Sequence, residues 1–592
     1  MNDGSKYVVC GSKRSTRLRR IWLRARHWVG LGLGIGLMQG WTASPAVAAE
    51  RIYLTFGLFE RVIEISDLEA LAQGGKLPDD LEYYARFLTP EQLEQFSQAL
   101  SEPVDIDVVT VSQFLNTAQG AFLLEQLGEV INTPARLSGS LPLRAALVLA
   151  AADSLEGLTL LNVLRYFPTA GVRIDLLRGL AVAEGIDRAV NEANEAIDTV
   201  QAIAAQTAQQ QPPPDESLLP REIRRRGPFG IRRELLRVRL LKPPADLYIP
   251  VTSQIASREF PGRFPVVVIS HGLGSDRTTY GYLASYLTSY GFVVLAIEHG
   301  GSSAGQLLAL TEGRTDQVVS DEEFINRPQE VSLTLDALTN YSRSDPYLQR
   351  RINLDQVGVV GQSFGGFTAL ALAGATFDQA ALSAHCPPDL NTFNVSLLLQ
   401  CQALALFQPA QLEGAVTGPR LSAANPSFAD PRIKAAIAIN PVGSIIFGSQ
   451  GMGQIAVPTL LISGTSDTVA PALAEQIIPF TWLQTPERYL VLLQNGTHFS
   501  TIARSQTNSE LLSLPTDIIG PRPDIAQTYL EVISTVFFVS HLRQDQRYRP
   551  LLSSAFAAQL SQPPLPLSLV RSLTLDQLPL TSQKGLEHSK LK

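Results

Sequence analysis

Between residues 228 and 546, short apolar runs alternate with longer segments in which apolar residues recur every three or four positions. The runs are rich in Val, Ile and Ala, as in strands buried on both faces of a sheet, and the segments have the helical period. This alternation predicts an α/β domain with a mainly parallel sheet and helices on both faces. The runs lie at 266–269, 292–297, 357–360, 433–439, 459–462 and 489–493, after an expected antiparallel pair at 235–241 and 247–251, and the helical segments lie at 278–289, 322–338 and 526–542.

The preceding region, residues 50–208, has mostly the helical period after an expected short strand at 50–56. We expect a small helical domain there, joined to the α/β domain by a linker at 209–227 that begins with a Gln- and Pro-rich stretch. The region contains no His and no Cys, so a packing or substrate-gating role is expected. The expected helices lie at 63–71, 78–87, 90–100, 111–115, 141–152, 155–166 and 174–208.

Two segments are additions to the α/β domain. An insertion at 376–431, rich in Leu, Ala, Phe and Pro, is expected to form a lid whose apolar lining would favour an apolar part of a substrate. The alternative is that its apolar residues simply pack onto the body. The tail at 547–592 is rich in Leu, Pro and Ser, and either remains flexible or straps onto the body.

The first 49 residues have the pattern of an export signal. Six arginines between positions 14 and 26 precede a glycine-diluted apolar run at 29–38, and small residues follow at 46–49. We therefore expect a periplasmic or extracellular protein. A membrane anchor is the alternative, although the run is short for a bilayer span. The sequence LRRIWL at 18–23 loosely resembles a twin-arginine signal, and both this route and the general secretory route stay open.

Charge and cysteine content narrow the classes of partner and compartment. The 592-residue chain has a net charge of -7, which argues against nucleic acid as the main partner. The basic cluster at 221–226 is either a solvated face or a peripheral contact with anionic lipid headgroups. Cys386 and Cys401 are the cysteines outside the expected signal, and in an exported protein they predict a disulfide, with two unrelated thiols as the alternative.

The clearest chemical motif is the sequence GQSFGG at 361–366, between an apolar run and an apolar segment with helical character. A strand, a sharp Gly-x-Ser-x-Gly turn and a helix together form a nucleophile elbow. Gly361 and Gly365 lack the side chains that would collide across such a turn. Ser363 is therefore the candidate nucleophile, and the N–H of Phe364 is expected to face the site where an oxyanion forms.

A serine nucleophile requires a base and a group that orients the base. His498 follows the last predicted parallel strand, and Asp467 follows the strand before it, so the two complete a Ser, Asp, His order. The second oxyanion donor is expected to be the N–H of Leu273, in the sequence SHGLG at 270–274, where His271 would have a structural role. No third ligand accompanies Glu298 and His299, so neither a metal nor another cofactor is expected.

The motifs SHGLG at 270–274, LAIEH at 295–299 and GQSFGG at 361–366 resemble the platelet-activating factor acetylhydrolase family of α/β-hydrolases. The wider similarity, over about residues 232–546, is to dienelactone-hydrolase-like esterases. The region before them resembles the uncharacterised domain that precedes such hydrolases in cyanobacterial sequences. The resemblance implies the α/β-hydrolase fold and hydrolysis of a small-molecule or lipid ester, including the short acyl ester of a phospholipid, through a Ser-His-Asp triad and an acyl-enzyme.

One position departs from the acetylhydrolase pattern. In that family the triad acid follows the strand that corresponds to 433–439, where this chain has Asn440. Because asparagine carries no charge, the acid role is assigned to Asp467, and the resemblance guides the chemistry more than the substrate. The expected protein is an exported serine ester hydrolase. A peptidase or another acyl hydrolase on the same fold, and a non-catalytic envelope binding or scaffold protein, are the alternatives.

Overall fold

The computed structural model describes residues 48–74, 89–219, 221–239, 241, 243–387, 392, 394–407, 426–503 and 516–580. Almost all of the expected signal, the expected helix at 78–87, and parts of the expected lid and tail lie outside the described residues. The chain divides into two compact units. The first contains the described residues up to Asp105 together with Ile131–Asp175, and the second contains Ile106–Val130 and the described chain from Leu176 onward.

The described strands and α-helices are numbered in chain order. The strands are β1 (Arg51–Phe56), β2 (Phe59–Glu64), β3 (Ile131–Asn132), β4 (Gly171–Asp175), β5 (Gly230–Leu236), β6 (Ala245–Val251), β7 (Phe264–Ser270), β8 (Val293–Ile297), β9 (Ile352–Gln362), β10 (Ile433–Ile439), β11 (Thr459–Gly464), β12 (Arg488–Leu493) and β13 (Leu567–Val570). The helices are α1 (Ile65–Ala72), α2 (Pro90–Ser101), α3 (Val108–Leu115), α4 (Ala118–Val130), α5 (Ser140–Ala152), α6 (Leu160–Arg165), α7 (Leu176–Gln210), α8 (Gln254–Glu259), α9 (Gly281–Ser289), α10 (Ala304–Thr311), α11 (Glu323–Ser344), α12 (Phe364–Leu372), α13 (Gln379–His385), α14 (Val395–Cys401), α15 (Ser444–Met452), α16 (Ile478–Trp482), α17 (Thr516–Ile519), α18 (Pro523–His541) and α19 (Ser554–Leu560).

The first unit contains a four-stranded sheet in addition to helices. Its strand order is β2-β1-β4-β3, with β1 parallel to β4. Of these strands, the sequence predicted only β1. The next strand, β2, was missed because it buries few side chains and its short apolar pattern is ambiguous. Ile52 and Ile63, which are register partners, are the buried residues of this pair. The expected boundary at residue 208 also differs from the structure, where α7 belongs to the second unit.

The second unit is built on a nine-stranded sheet with the order β13-β12-β11-β10-β9-β7-β8-β6-β5. Neighbours from β12 to β8 pair in parallel, while β5, β6 and β13 pair antiparallel. The predicted α/β-hydrolase architecture is therefore confirmed. Strand β5 begins at Gly230, earlier than expected, because it is a largely exposed edge strand without a continuous apolar run. The tail supplies β13, so its described part straps onto the body.

Strand register brings the candidate catalytic loops to one edge of this sheet. Every residue of β7 and β8 is buried, which explains their uninterrupted apolar runs. Ser270 at the end of β7 pairs with Gly361 on β9, and Ile439 at the end of β10 pairs with Gln362. Because parallel strands end at the same edge, the loops after β7, β9, β10, β11 and β12 meet there.

The described residues of the expected lid form α13, α14 and a 3-10 turn. A disulfide joins Cys386, which follows α13, to Cys401 at the end of α14. Leu399 and Leu406 are buried in the main core, so these two side chains pack the insertion onto the body. None of the helices in the described part of the chain has the length and apolar character required to cross a bilayer.

Candidate active site

Ser363 lies in a strained turn between β9 and α12. Its backbone has φ 55° and ψ -117°, a conformation that residues other than glycine rarely adopt. The Ser363 N–H donates to the carbonyl of Ile439 at 2.8 Å, which ties the turn to β10. A Cβ at Gly365 would collide with the carbonyl of Ser270, and one at Gly361 with the carbonyl of Gly365. The turn therefore has the geometry of a nucleophile elbow.

His498 and Asp467 contact each other across the loops that follow β12 and β11. Nδ1 of His498 lies 2.7 Å from Oδ2 of Asp467, and both side chains are buried. The other carboxylate oxygen of Asp467 accepts hydrogen bonds from the N–H groups of Val469 and Ala470 at 2.8 and 2.7 Å. The aspartate is thus fixed by its own loop, and its contact with Nδ1 leaves Nε2 of the imidazole to act on a proton.

Gln362 joins the histidine loop to the elbow. Its side-chain amide donates to the carbonyl oxygen of His498 at 3.1 Å, and Gln362 directly precedes Ser363. The three residues that the sequence selected are therefore held by neighbouring loops at one edge of the sheet. The sequence did not predict this hydrogen bond. The residue between Gly and Ser in such a turn varies in type, so a glutamine there does not indicate a partner.

The loop after β7 approaches the serine closely. A Cβ built on Gly272 would lie 3.3 Å from Cβ of Ser363, so the backbone next to Leu273 borders the nucleophile. Phe364 is the first residue of α12, where N–H groups have no partner within the helix. Across the described residues, neither the Leu273 N–H nor the Phe364 N–H donates to a protein acceptor. Two backbone donors near Ser363 are suited to binding an oxyanion.

Asn440 connects two of the catalytic loops. Its Oδ1 accepts from the N–H of Gly464 at 3.0 Å, and its Nδ2 donates to the carbonyl of Thr497, which precedes His498, at 3.2 Å. Asn440 also has a positive φ of 42°, which asparagine tolerates better than most residues. The sequence identified this position only as lacking a charge, and its bracing role depends on contacts that sequence does not reveal.

The two histidines near the elbow have structural contacts. Nε2 of His271 accepts from the N–H of His299 at 3.0 Å, so the proton is on Nδ1, which donates to the carbonyl of Gly272 at 2.7 Å. Burial, reinforced by the charge of Arg327, lowers the pKa of His271 to about 3. The expected structural role of His271 agrees with this geometry. Glu298 accepts from the N–H of Arg277 at 2.9 Å, as expected for a carboxylate paired with a loop donor.

The described residues offer no arrangement suited to a metal ion. No group of three or more His, Cys, Asp or Glu side chains is arranged as ligands among them. The sequence places His299 next to Glu298 as a possible metal ligand, but its ring has other partners. Nδ1 of His299 lies 2.6 Å from Oε2 of Glu330, and Nε2 lies 2.9 Å from Oγ of Ser270.

A cavity of about 1050 Å³ lies within the second unit beside the aspartate loop. One wall is the loop that carries Asp467, and another is α7, which contributes mostly small and aliphatic residues together with Arg178 and Asn194. Of the three triad candidates, Asp467 lines the cavity, and Ser363 and His498 do not. Ile186 and Val190 on this wall are about half exposed, at 51% and 50%. A largely apolar cavity with a few polar groups at the carboxyl edge of such a sheet is suited to a small ligand with an apolar part.

Comparison with known families gives two matches to separate parts of the chain. Residues 48–175 match a family described as an alpha/beta hydrolase of unknown function (DUF1400), and this segment extends from the start of the described chain through the last strand of the first unit. Residues 242–339 match the family of platelet-activating factor acetylhydrolase, isoform II. The second match covers β7, β8 and the loop with Leu273, and ends before the elbow.

Individual relatives agree with this second match. A platelet-activating factor acetylhydrolase of Canis lupus familiaris is 30% identical over 139 residues, and one of Bos taurus is 27% identical over the same length. Each alignment covers 18% of this chain and 31% of the relative, which is about a third of the relative's length. A putative phospholipase A2 of Schizosaccharomyces pombe is 49% identical over 43 residues, or 7% of this chain and 10% of that protein. The chain has the α/β-hydrolase fold, and it resembles the platelet-activating factor acetylhydrolases.

Proposed function

We propose that this protein hydrolyses carboxylic esters, with Ser363 as its nucleophile. The observation that carries the proposal is the 2.7 Å contact between His498 and Asp467, in a loop that Gln362 ties to the nucleophile elbow. A histidine whose Nδ1 is held by a buried carboxylate can take a proton through Nε2 and remain correctly oriented. The similarity to acetylhydrolases over residues 242–339 supports an ester as the substrate.

In the proposed reaction, Oγ of Ser363 attacks the ester carbonyl while Nε2 of His498 takes the hydroxyl proton. The resulting oxyanion accepts hydrogen bonds from the N–H groups of Leu273 and Phe364, and Asp467 stabilises the imidazolium. The imidazolium then gives its proton to the leaving alcohol, and the acyl group stays on the serine. Water, deprotonated by His498, attacks the acyl-enzyme and releases the carboxylic acid.

We propose that the ester has a substantial apolar part. The cavity beside the Asp467 loop supports this, because small and aliphatic side chains of α7 line it. The names of the relatives favour a phospholipid ester with a short acyl group. Asn440, which replaces the acid of the resembled family, argues for some divergence from that substrate.

Export remains part of the proposal. The basic, apolar and small-residue pattern of the first 49 residues supports it, and so does the disulfide between Cys386 and Cys401. Disulfides persist in oxidising compartments such as the periplasm or the extracellular space. Detection of the mature protein in a periplasmic or culture-medium fraction, with a new N-terminus near residue 50, would support this location, whereas retention in the cytoplasm would contradict it.

Purified wild type and Ser363→Ala should be compared on p-nitrophenyl esters of increasing acyl length. The variant is expected to lose at least about 10³-fold in kcat. A fluorophosphonate probe should label Ser363 in the wild type, as identified by peptide mass spectrometry. Unchanged esterase activity in Ser363→Ala would refute the proposal. Failure of the probe to label Ser363 would favour a binding protein, and faster turnover of peptides than of esters would favour a peptidase.

A further inference from the structure

Arg327 is a fully buried cation directly behind the elbow. It lies near the start of α11, and its side chain has 0% exposure. Nε donates to Oγ1 of Thr368 at 3.1 Å, and Nη1 donates to Oγ of Ser302 at 2.6 Å. Nη2 donates to Oγ of Ser270 at 3.2 Å and to the carbonyl of His271. The guanidinium therefore bonds to three separate segments at once.

One set of these bonds fixes the loop that contains Leu273. The guanidinium holds the carbonyl of His271, two residues before Leu273. It also holds Ser302, whose carbonyl oxygen accepts from the N–H of Gly274 at 2.9 Å. Arg327 thus restrains the backbone on both sides of Leu273, directly on one side and through Ser302 on the other.

A second set of contacts fixes Phe364. Thr368, which accepts from Nε of Arg327, donates its own hydroxyl proton to the carbonyl of Phe364 at 2.9 Å. The carbon of the guanidinium also lies 4.7 Å from the centre of the Phe364 ring, which is the geometry of a cation–π contact. Both the first turn of α12 and the aromatic ring of its first residue are therefore held by the same cation.

A buried cation is costly, and apolar residues of similar volume would often serve stability as well. Burial lowers the pKa of Arg327 to about 10, although Glu323 and Glu330 act against this shift. The side chain is therefore charged at neutral pH. Lysine could not reproduce its contacts, because they use three nitrogens of one planar fork.

We propose that Arg327 is a positioning residue that sets the distance between the Leu273 and Phe364 N–H groups, and thereby the oxyanion hole. This inference rests on the proposed ester hydrolysis. It predicts a loss in the chemical step, because the two donors must match an oxyanion that exists only in the transition state.

The test compares wild type with Arg327→Lys and Arg327→Met on a soluble p-nitrophenyl ester. Active enzyme is first counted by stoichiometric fluorophosphonate labelling of Ser363. The kcat per labelled site is expected to fall about 10- to 100-fold, with KM changing by less than about threefold. Arg543→Lys is the matched control. The guanidinium of Arg543 likewise contacts aromatic rings, with its carbon 5.4 Å from the centre of the Phe260 ring and 5.3 Å from that of Phe292, and it donates to the carbonyl of Gly291 at 2.6 Å. It should lower thermal stability without lowering kcat per site.

Thr368→Val provides a milder second variant if the Arg327 variants do not fold. It removes the link between Arg327 and the Phe364 carbonyl, and kcat per site is expected to fall about 3- to 10-fold. Wild-type kcat per site in the folded variants would overturn the inference and leave the ester hydrolase proposal intact. An unlabelled Ser363 in the wild type would instead remove the proposed function and this inference with it.

Discussion

The side-chain amide of Asn440 donates to the carbonyl oxygen of Thr497, the residue that precedes His498, at 3.2 Å. Because asparagine cannot act as the triad acid, the sequence alone gives Asn440 no role in catalysis. The structure adds two hydrogen bonds at this position, a buried one from the Gly464 N–H and a partly buried one to the Thr497 carbonyl. We predict that Asn440→Ala lowers kcat by about tenfold, since loss of the brace leaves the Thr497 carbonyl with only the long 3.5 Å bond from the Ser500 N–H and loosens the His498 loop.

Asn440→Asp is the informative companion of that variant. Aspartate keeps an acceptor for the Gly464 N–H, but its carboxylate would face the Thr497 carbonyl and repel it. We therefore expect Asn440→Asp to be at least as impaired as Asn440→Ala in kcat on a p-nitrophenyl ester. Activity retained in the double variant Asn440→Asp/Asp467→Asn would show that the acid can act from the position used by the resembled family.

Asp467→Asn should reduce kcat by about 10³-fold or more. Oδ1 of Asp467 accepts from two backbone N–H groups, so an asparagine would keep its oxygen there and turn its NH₂ group toward His498. That NH₂ group would force Nδ1 of His498 to accept, which places the imidazole proton on Nε2 and disables the base. Steady-state kinetics on a short ester measures the loss in kcat. The control for removal of a buried charge is Asp430→Asn, because Asp430 is a buried carboxylate that pairs with Arg432.

Much of this site could be predicted because each of its parts has a local signature. A Gly-x-Ser-x-Gly turn requires particular residues for steric reasons, and loops after buried parallel strands converge whatever their sequence. Ser363, Asp467 and His498 could therefore be selected from strand order alone. The strands β7 to β12 were also predictable, because burial on both faces produces uninterrupted apolar runs.

The parts that escaped prediction depend on contacts distant in sequence. Arg327 lies on an ordinary helix, and only the fold reveals that it meets Ser270, Ser302 and Thr368. Likewise, the strands of the first unit are short and half exposed, so their apolar residues do not distinguish a strand from a helix turn. The cavity wall on α7 was hidden because its alanines are typical of any helix.

The cavity beside the Asp467 loop leads to a prediction about acyl length. Ala189 lines the cavity and Ala183, on the same helix, does not. Ala189→Phe should narrow the cavity and lower kcat/KM about tenfold for long acyl esters, while short acyl esters change by less than about twofold. Ala183→Phe is the matched control and should leave the acyl-length profile unchanged. Equal losses at every acyl length in Ala189→Phe would mean that the acyl chain binds elsewhere.

Glu531 should make the second unit less stable as the pH rises. It lies on α18, and burial raises its pKa to about 7, although Arg226 acts against this shift. Because this carboxyl has a higher pKa in the folded protein than in the unfolded chain, the folded state binds more protons between about pH 4.5 and 7. Its contribution to stability is therefore fully present below about pH 4.5 and is lost as the pH rises through about 7.

The variant Glu531→Gln removes this titration. The melting temperature of the variant minus that of the wild type should therefore increase by about 2–4 °C between pH 5 and pH 8. Scanning fluorimetry across this range measures the difference in melting temperature. Glu195→Gln, on an exposed face of α7, is the control. A difference between Glu531→Gln and the wild type that stays constant at all pH values would contradict the raised pKa of Glu531.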